Sequence, residues 1–140
     1  MAEALLRSAG RDRFEAHSAG SHPAGFVHDL AIAAMSRLGV PLGEARSKSW
    51  DEFVQADFDV VITLCDDAAS ESCPTWPGAP LKTHWSLPDP AYHPATDEER
   101  IEFAVRVAER LRLKIEGLTA IDFGAGRDAA QERLNTLGAI

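Results

Sequence analysis

The run Val60-Val61-Ile62 constrains the fold most, because three consecutive β-branched residues suit a strand covered on both faces. With Phe58 and Leu64 flanking it, the predicted strand spans 58–64. Such a strand belongs in a parallel sheet, whose neighbouring strands are joined by helical crossovers. The rest of the sequence supplies alternating elements. Met1 to Ala9 reads as a helix with Ala2, Leu5, Leu6 and Ala9 on one face, and Phe14 to Ala19 as a short strand. A breaker-rich loop, Gly20-Ser21-His22-Pro23-Ala24-Gly25, follows that strand. A second helix is expected from about His28 to Leu38, with Gly39 as its stop. A short helix should begin at Ser49, with Glu52 completing a capping box. Leu81 to Trp85 reads as another strand, after a loop marked by Pro74, Pro77, Gly78 and Pro80. Thr96 and Glu99 then cap a long helix carrying Ile101, Ala104, Val105, Ala108, Leu111, Ile115 and Leu118, and a last helix runs from about Asp128 to Leu137.

This order predicts one α/β domain over residues 1–140, a parallel sheet covered on both faces. One feature departs from a doubly wound sheet. The first element is a helix with no Ser, Thr, Asp or Asn ahead of it, as though its start were missing.

Charge excludes several classes of function. Fourteen Lys and Arg against 22 Asp and Glu give a net charge of -8, so no basic surface is available for nucleic acid, and anionic membranes would be repelled. No apolar run approaches the roughly 18 residues that cross a bilayer, and the first residues lack the pattern of a secretory signal. The expected location is the cytoplasm. Two cysteines are too few for a disulfide scaffold, and in a reducing compartment a thiol pair points to chemistry.

Ligands of parallel sheets gather at the C-terminal ends of the strands. Three loops fall there: one with Ser21 and His22, one with Cys65, Asp66, Asp67 and Cys73, and one with Asp89, Tyr92 and His93. Seven residues separate Cys65 from Cys73, which leaves two readings. Cys65 is a small residue at a strand end and Cys73 an incidental loop thiol, or the two close reversibly into a disulfide. A loop of that length closes at little entropic cost, whereas the neighbouring aspartates oppose thiolate formation. Asp89 lies between two prolines and is either a turn residue or a rigidly held general acid. Cys65, Cys73, His84 and His93 match no compact zinc spacing, so no metal is expected. Gly124-Ala125-Gly126 follows no convincing strand and does not fit a dinucleotide fingerprint.

Several blocks, in order along nearly the whole chain, carry a resemblance. They are Met1-Ala2-Glu3-Ala4-Leu5-Leu6, Ser18-Ala19-Gly20-Ser21, Arg46-Ser47-Lys48-Ser49-Trp50-Asp51-Glu52-Phe53 and Val61-Ile62-Thr63-Leu64-Cys65-Asp66. Cys73-Pro74-Thr75-Trp76-Pro77-Gly78, His84-Trp85 and Asp89-Pro90-Ala91 complete the set. Together they resemble the thiol-dependent arsenate reductases built on the low-molecular-weight tyrosine phosphatase fold. The resemblance implies a three-layer fold whose first, central strand is missing here, together with the Cys-x5-Arg loop that holds the oxyanion.

In that family the loop thiolate attacks arsenate, and an acid matching Asp89 protonates the leaving oxygen. A second thiol, matching Cys65, attacks the arsenylated sulfur, and a third, matching Cys73, takes over the disulfide. The resemblance therefore implies Cys65, Cys73 and Asp89 as catalytic residues, with no cofactor and no metal. Its partners would be an arsenate- or phosphate-like oxyanion and a reductant. The Cys65–Cys73 interval is longer than in the thioredoxin-coupled branch, which leaves thioredoxin, glutaredoxin and small thiols open as that reductant. No oxyanion-binding residue can be named, because the loop is absent, and the chain as written is expected to be inactive. A gap in the sheet would leave two unpaired edges, so a homodimer is expected. A low-molecular-weight phosphotyrosine phosphatase and a truncated, non-catalytic binding or redox-partner protein are the alternatives.

Overall fold

Apolar spacing sets the helices, and one of them organises the rest. In the computed structural model, which describes residues 1–65, 75–92 and 94–140, the first helix is α1 (Ala2–Gly10). It buries Ala4 and Leu5. Helix α2 (Asp29–Leu38) begins at His28, whose Nδ1 accepts from the Leu30 amide at 3.1 Å. It stops at Gly39, as expected, and there the chain takes the left-handed conformation, φ 68°. Helix α3 (Asp97–Thr119) has the full capping box: Glu99 N–H donates to Thr96 Oγ1 and Thr96 N–H to Glu99 Oε2. Its stripe of Ala104, Ala108, Leu111, Ile115 and Leu118 is buried as the periodicity requires, and α1, α2 and the last helix, α4 (Arg127–Gly138), all pack against it.

The sheet has two parallel strands among the described residues, β1 (Val60–Thr63) and β2 (Leu81–His84). Val60 pairs with Leu81, Val61 with Lys82, Ile62 with Thr83 and Thr63 with His84. Alternation gives Leu81 and Trp85 to the core shared with α1, α3 and α4, and Val60, Ile62 and Leu64 pack against it. All four β1 residues are half-buried rather than sealed on both faces.

Two expectations are corrected. Residues 14–19 are not a strand: Phe14 is extended, but a strand requires a hydrogen-bonded neighbour, and among the described residues the one pairing nearby is a single parallel bridge, just past the segment, from Gly20 to Ser49. The turn after Ser49 is a 3-10 helix (Trp50–Phe53) with no capping box, because Glu52 turns to Arg46 in a two-pronged ion pair at 2.7 and 3.0 Å. Ser49 still caps the turn, accepting from the Asp51 amide.

Helix α4 is fastened along the whole of β2. Arg127 donates to the Ala79 carbonyl, Gln131 to the Lys82 carbonyl, Thr83 to Asn135, and the Trp85 indole to the Leu134 carbonyl at 3.0 Å. Its end is closed by Lys114 of α3, which is fully buried. The ammonium donates to the carbonyls of Leu137, Gly138 and Ile140 at 2.7, 3.0 and 2.9 Å, matching three donors to three acceptors. Gly138 must be small, since a Cβ there would lie 2.8 Å from the His84 carbonyl oxygen. Lys114→Met keeps the apolar stem but strands the carbonyls. We expect it to lower stability by at least about 2 kcal/mol in urea unfolding, with amide protection lost first over the last turn of α4.

Candidate functional site

The C-terminal end of β1 is built to release a side chain from the sheet. The Leu81 and Trp85 amides donate to the carbonyls of Asp59 and Thr63, a constant offset of 22 residues. The next bond, from the Leu87 amide to the Leu64 carbonyl at 3.0 Å, has an offset of 23. Thr63 and Leu64 thus turn successive carbonyls toward the same neighbour, which a continuing strand cannot do. The backbone rotates at Leu64, and Cys65 emerges exposed. Two residues before it in the chain, Thr63 Oγ1 shares a hydrogen bond of 2.7 Å with His84 Nδ1 across the last rung of the ladder.

The same contact brings in the second candidate. Leu64 and Leu87 are hydrogen-bonded, Cys65 is one residue beyond the first, and Asp89 two beyond the second. The loops bearing the thiol and the carboxyl therefore leave the sheet from one pinned root. Asp89 is exposed, and its Oδ1 accepts from the Ala91 amide at 2.9 Å, opening the 3-10 turn Pro90–Tyr92. Ala91 also lines a cavity of about 380 Å³ between the starts of α2 and α3, with His28, Asp29, Asp97, Arg100 and Ile101 around it. Cys73 and His93 lie outside the described residues. Among the described residues no three His, Cys, Asp or Glu side chains come together as a metal cage.

A buried ionic cluster supports the neighbouring loop, and sequence reasoning missed it. Glu3 of α1 and Lys48 are both buried and meet at 3.2 Å. Arg7, one turn along α1, pairs with the other Glu3 oxygen at 2.6 Å, and the Ser18 hydroxyl donates to the oxygen that Lys48 holds. Lys48 also donates to the Arg46 carbonyl, while its own carbonyl accepts from the Gly20 amide at 3.0 Å. The cluster joins α1 to the Ser18–Gly20 and Arg46–Ser49 segments, which border a cleft of about 200 Å³. Its only sequence signal is the Glu3–Arg7 spacing of four, which is indistinguishable from an exposed pair on a helix surface. Burial pushes the Glu3 carboxyl up, but the hydrogen bonds from Ser18 and Lys48 and the charges of Lys48 and Arg7 outweigh it and hold the group below its ordinary value.

Comparison with known proteins places this geometry in a family. Residues 1–121 match the low molecular weight phosphotyrosine protein phosphatase family, a span that includes α1, both strands and all of α3. The chain belongs to that family. Within it, the chain is 34% identical over 115 residues to an arsenate reductase of Bacillus licheniformis, covering 82% of this chain and 81% of that protein. It is 33% identical over 115 residues to an arsenate reductase of Halalkalibacterium halodurans, with the same coverage. An arsenate reductase of Bacillus subtilis matches at 34% over 116 residues, 81% of this chain and 82% of that protein. The family's α/β fold agrees with the parallel pair of strands and their helices. No helix among the described residues is long and apolar enough to cross a membrane.

The Glu3 cluster makes stability depend on pH with a definite sign. A carboxyl held lower in the folded chain than in the unfolded one contributes fully above its unfolded value, and that contribution is lost as pH falls through the folded value. The urea midpoint of the natural chain should therefore exceed that of Glu3→Gln by a constant amount above about pH 5, and the difference should shrink as the pH falls through the folded Glu3 value, which lies below the unfolded one. Lys48→Met, which leaves a buried carboxylate short of its partner, should cost about 3 kcal/mol at neutral pH.

Proposed function

We propose that this chain works in arsenate reduction, as the part of the enzyme that carries the resolving thiol and the general acid. The observation that supports the reading is the shared root of the two loops: the Leu87–Leu64 hydrogen bond lies one residue before exposed Cys65 and two before Asp89. The names of the family relatives supply the substrate. A thiolate in an anion-binding loop displaces an oxygen of arsenate, and Asp89 gives that oxygen its proton as it leaves. Cys65 then attacks the arsenylated sulfur. A sulfur–sulfur bond forms, the sulfur–arsenic bond breaks, and its electron pair stays on arsenic, which departs as arsenite. Cys73 exchanges into the disulfide and passes it to a thiol reductant, whose two electrons restore the thiols. Thioredoxin, glutaredoxin and a small thiol all meet that chemical requirement, and it assigns the work to a reducing compartment, the cytoplasm.

The initiating thiolate is not in these 140 residues. A Cys-x5-Arg loop needs Arg six positions after Cys, and those positions hold Glu71 after Cys65 and Ala79 after Cys73. The chain by itself is therefore expected to turn over neither arsenate nor a phosphomonoester, since a preorganised oxyanion site is worth orders of magnitude in rate. Fusion behind a family strand and Cys-x5-Arg loop should restore arsenite release with a dithiol reductant. In that fusion, Cys65→Ser should reduce multiple turnover by about 100-fold or more, and Asp89→Asn by about 100-fold. Turnover by the unfused chain, or full turnover by the Cys65→Ser fusion, would remove the proposal.

The family's phosphatase members favour a second reading, phosphomonoester hydrolysis, which needs no relay. Cys65→Ser separates the two, because in the fused protein it would leave phosphatase turnover intact. The open edge of β1 supports self-association, with a second copy supplying the pairing strand. Light scattering at micromolar concentration should then give twice the chain mass, and a monomer mass would dismiss the dimer.

A further inference from the structure

We propose that His84 is a positioning residue for the Cys65 thiol, acting through the hydroxyl of Thr63. The inference rests on Cys65 being the relay thiol, but its geometry and its test do not require arsenate. Thr63 and His84 are the last partners in register, and their side chains close the final rung with a 2.7 Å hydrogen bond. One residue later the ladder slips at Leu64, and the next residue is Cys65. The direction in which the thiol leaves the sheet is thus set within two residues of Thr63.

The two partners are not held equally. His84 stands on a rigid support: its carbonyl lies against Gly138 of α4, its neighbour Trp85 is clamped to the Leu134 carbonyl, and the end of α4 is closed by Lys114. Thr63 ends a four-residue strand, and no described residue hydrogen-bonds the outward peptide groups of Val60 and Ile62. The bond therefore ties the less supported strand end to the better supported one. Ser or Asn could preserve the tie, since a Ser hydroxyl replaces that of Thr, and an Asn side chain offers a donor or acceptor near the place of Nδ1.

The test reads the thiol directly in the chain as it exists, in a Cys73→Ser background so that one cysteine reacts. Alkylation of Cys65 by iodoacetamide at neutral pH should change by about fivefold or more in Thr63→Val and in His84→Phe. Thr63→Ser and His84→Asn should return it to within about twofold of the parent, because the hydrogen bond is kept. A parental rate in Thr63→Val, or equal changes in the conservative and non-conservative variants, would overturn the proposal. A second reading needs no disruptive variant: carbamidomethylation of Cys65 should shift the His84 Nδ1 resonance of ¹⁵N-histidine-labelled protein, assigned with His84→Asn. An unmoved resonance would equally overturn it. Loss of arsenate turnover in the fused enzyme with these results intact would instead count against the proposed function alone.

Discussion

A single buried ammonium sets the frame on which the rest of the chain is hung. Lys114 lies on α3 in line with Leu111, Ile115 and Leu118, where the helical period calls for an apolar side chain. Its methylenes fill that position, and its three protons close the end of α4. Burying a charge is costly unless every donor is matched, and here each one is. Closure of α4 fixes the indole of Trp85, and Trp85 fixes the end of β2. The order of the strand ends thus descends from a residue that performs no chemistry.

The site uses that order sparingly. Its loops leave from one hydrogen-bonded pair, Leu64 and Leu87, after a slip of one residue in the ladder. A slip of that kind is inexpensive, since both carbonyls involved still find amide partners. It also converts a strand, which would send Cys65 back into alternation, into a pedestal that presents the thiol to solvent. The Glu3–Lys48 cluster does the corresponding work for the Ser18–Gly20 loop, in charge rather than backbone geometry.

Much of this was legible in the residues, for identifiable reasons. The capping box of α3, the stop at Gly39 and the apolar run of β1 are local signals, and local signals survive into the fold. Residues 14–19 have strand-like composition, yet strand formation is a property of two segments, and no ladder partner for this one lies among the described residues. The capping box at Ser49 failed because an arginine six residues before Glu52 competed for its carboxylate, a choice made by spacing in three dimensions. Burial of Lys114, Lys48 and Glu3 was hidden for the opposite reason: charged residues read as surface until their partners are in place. Of the candidate site, the positions of Cys65 and Asp89 at strand ends followed from sheet topology, whereas the slip that frees the thiol depends on a register no single sequence displays.

The two margins of the sheet are unlike, and the difference gives the architecture a polarity. On the β2 side the carbonyl of Lys82, and that of Ala79 just before the strand, are already occupied by Gln131 and Arg127 of α4, which packs along that margin. On the β1 side the peptide groups of Val60 and Ile62 meet no described partner. Among the described residues the sheet is therefore more open to extension on the β1 side than on the β2 side. A strand that joins it on that side, whatever its origin, lies directly against the strand that leads to Cys65, so recruitment of new backbone and access to the thiol are governed by the same four residues.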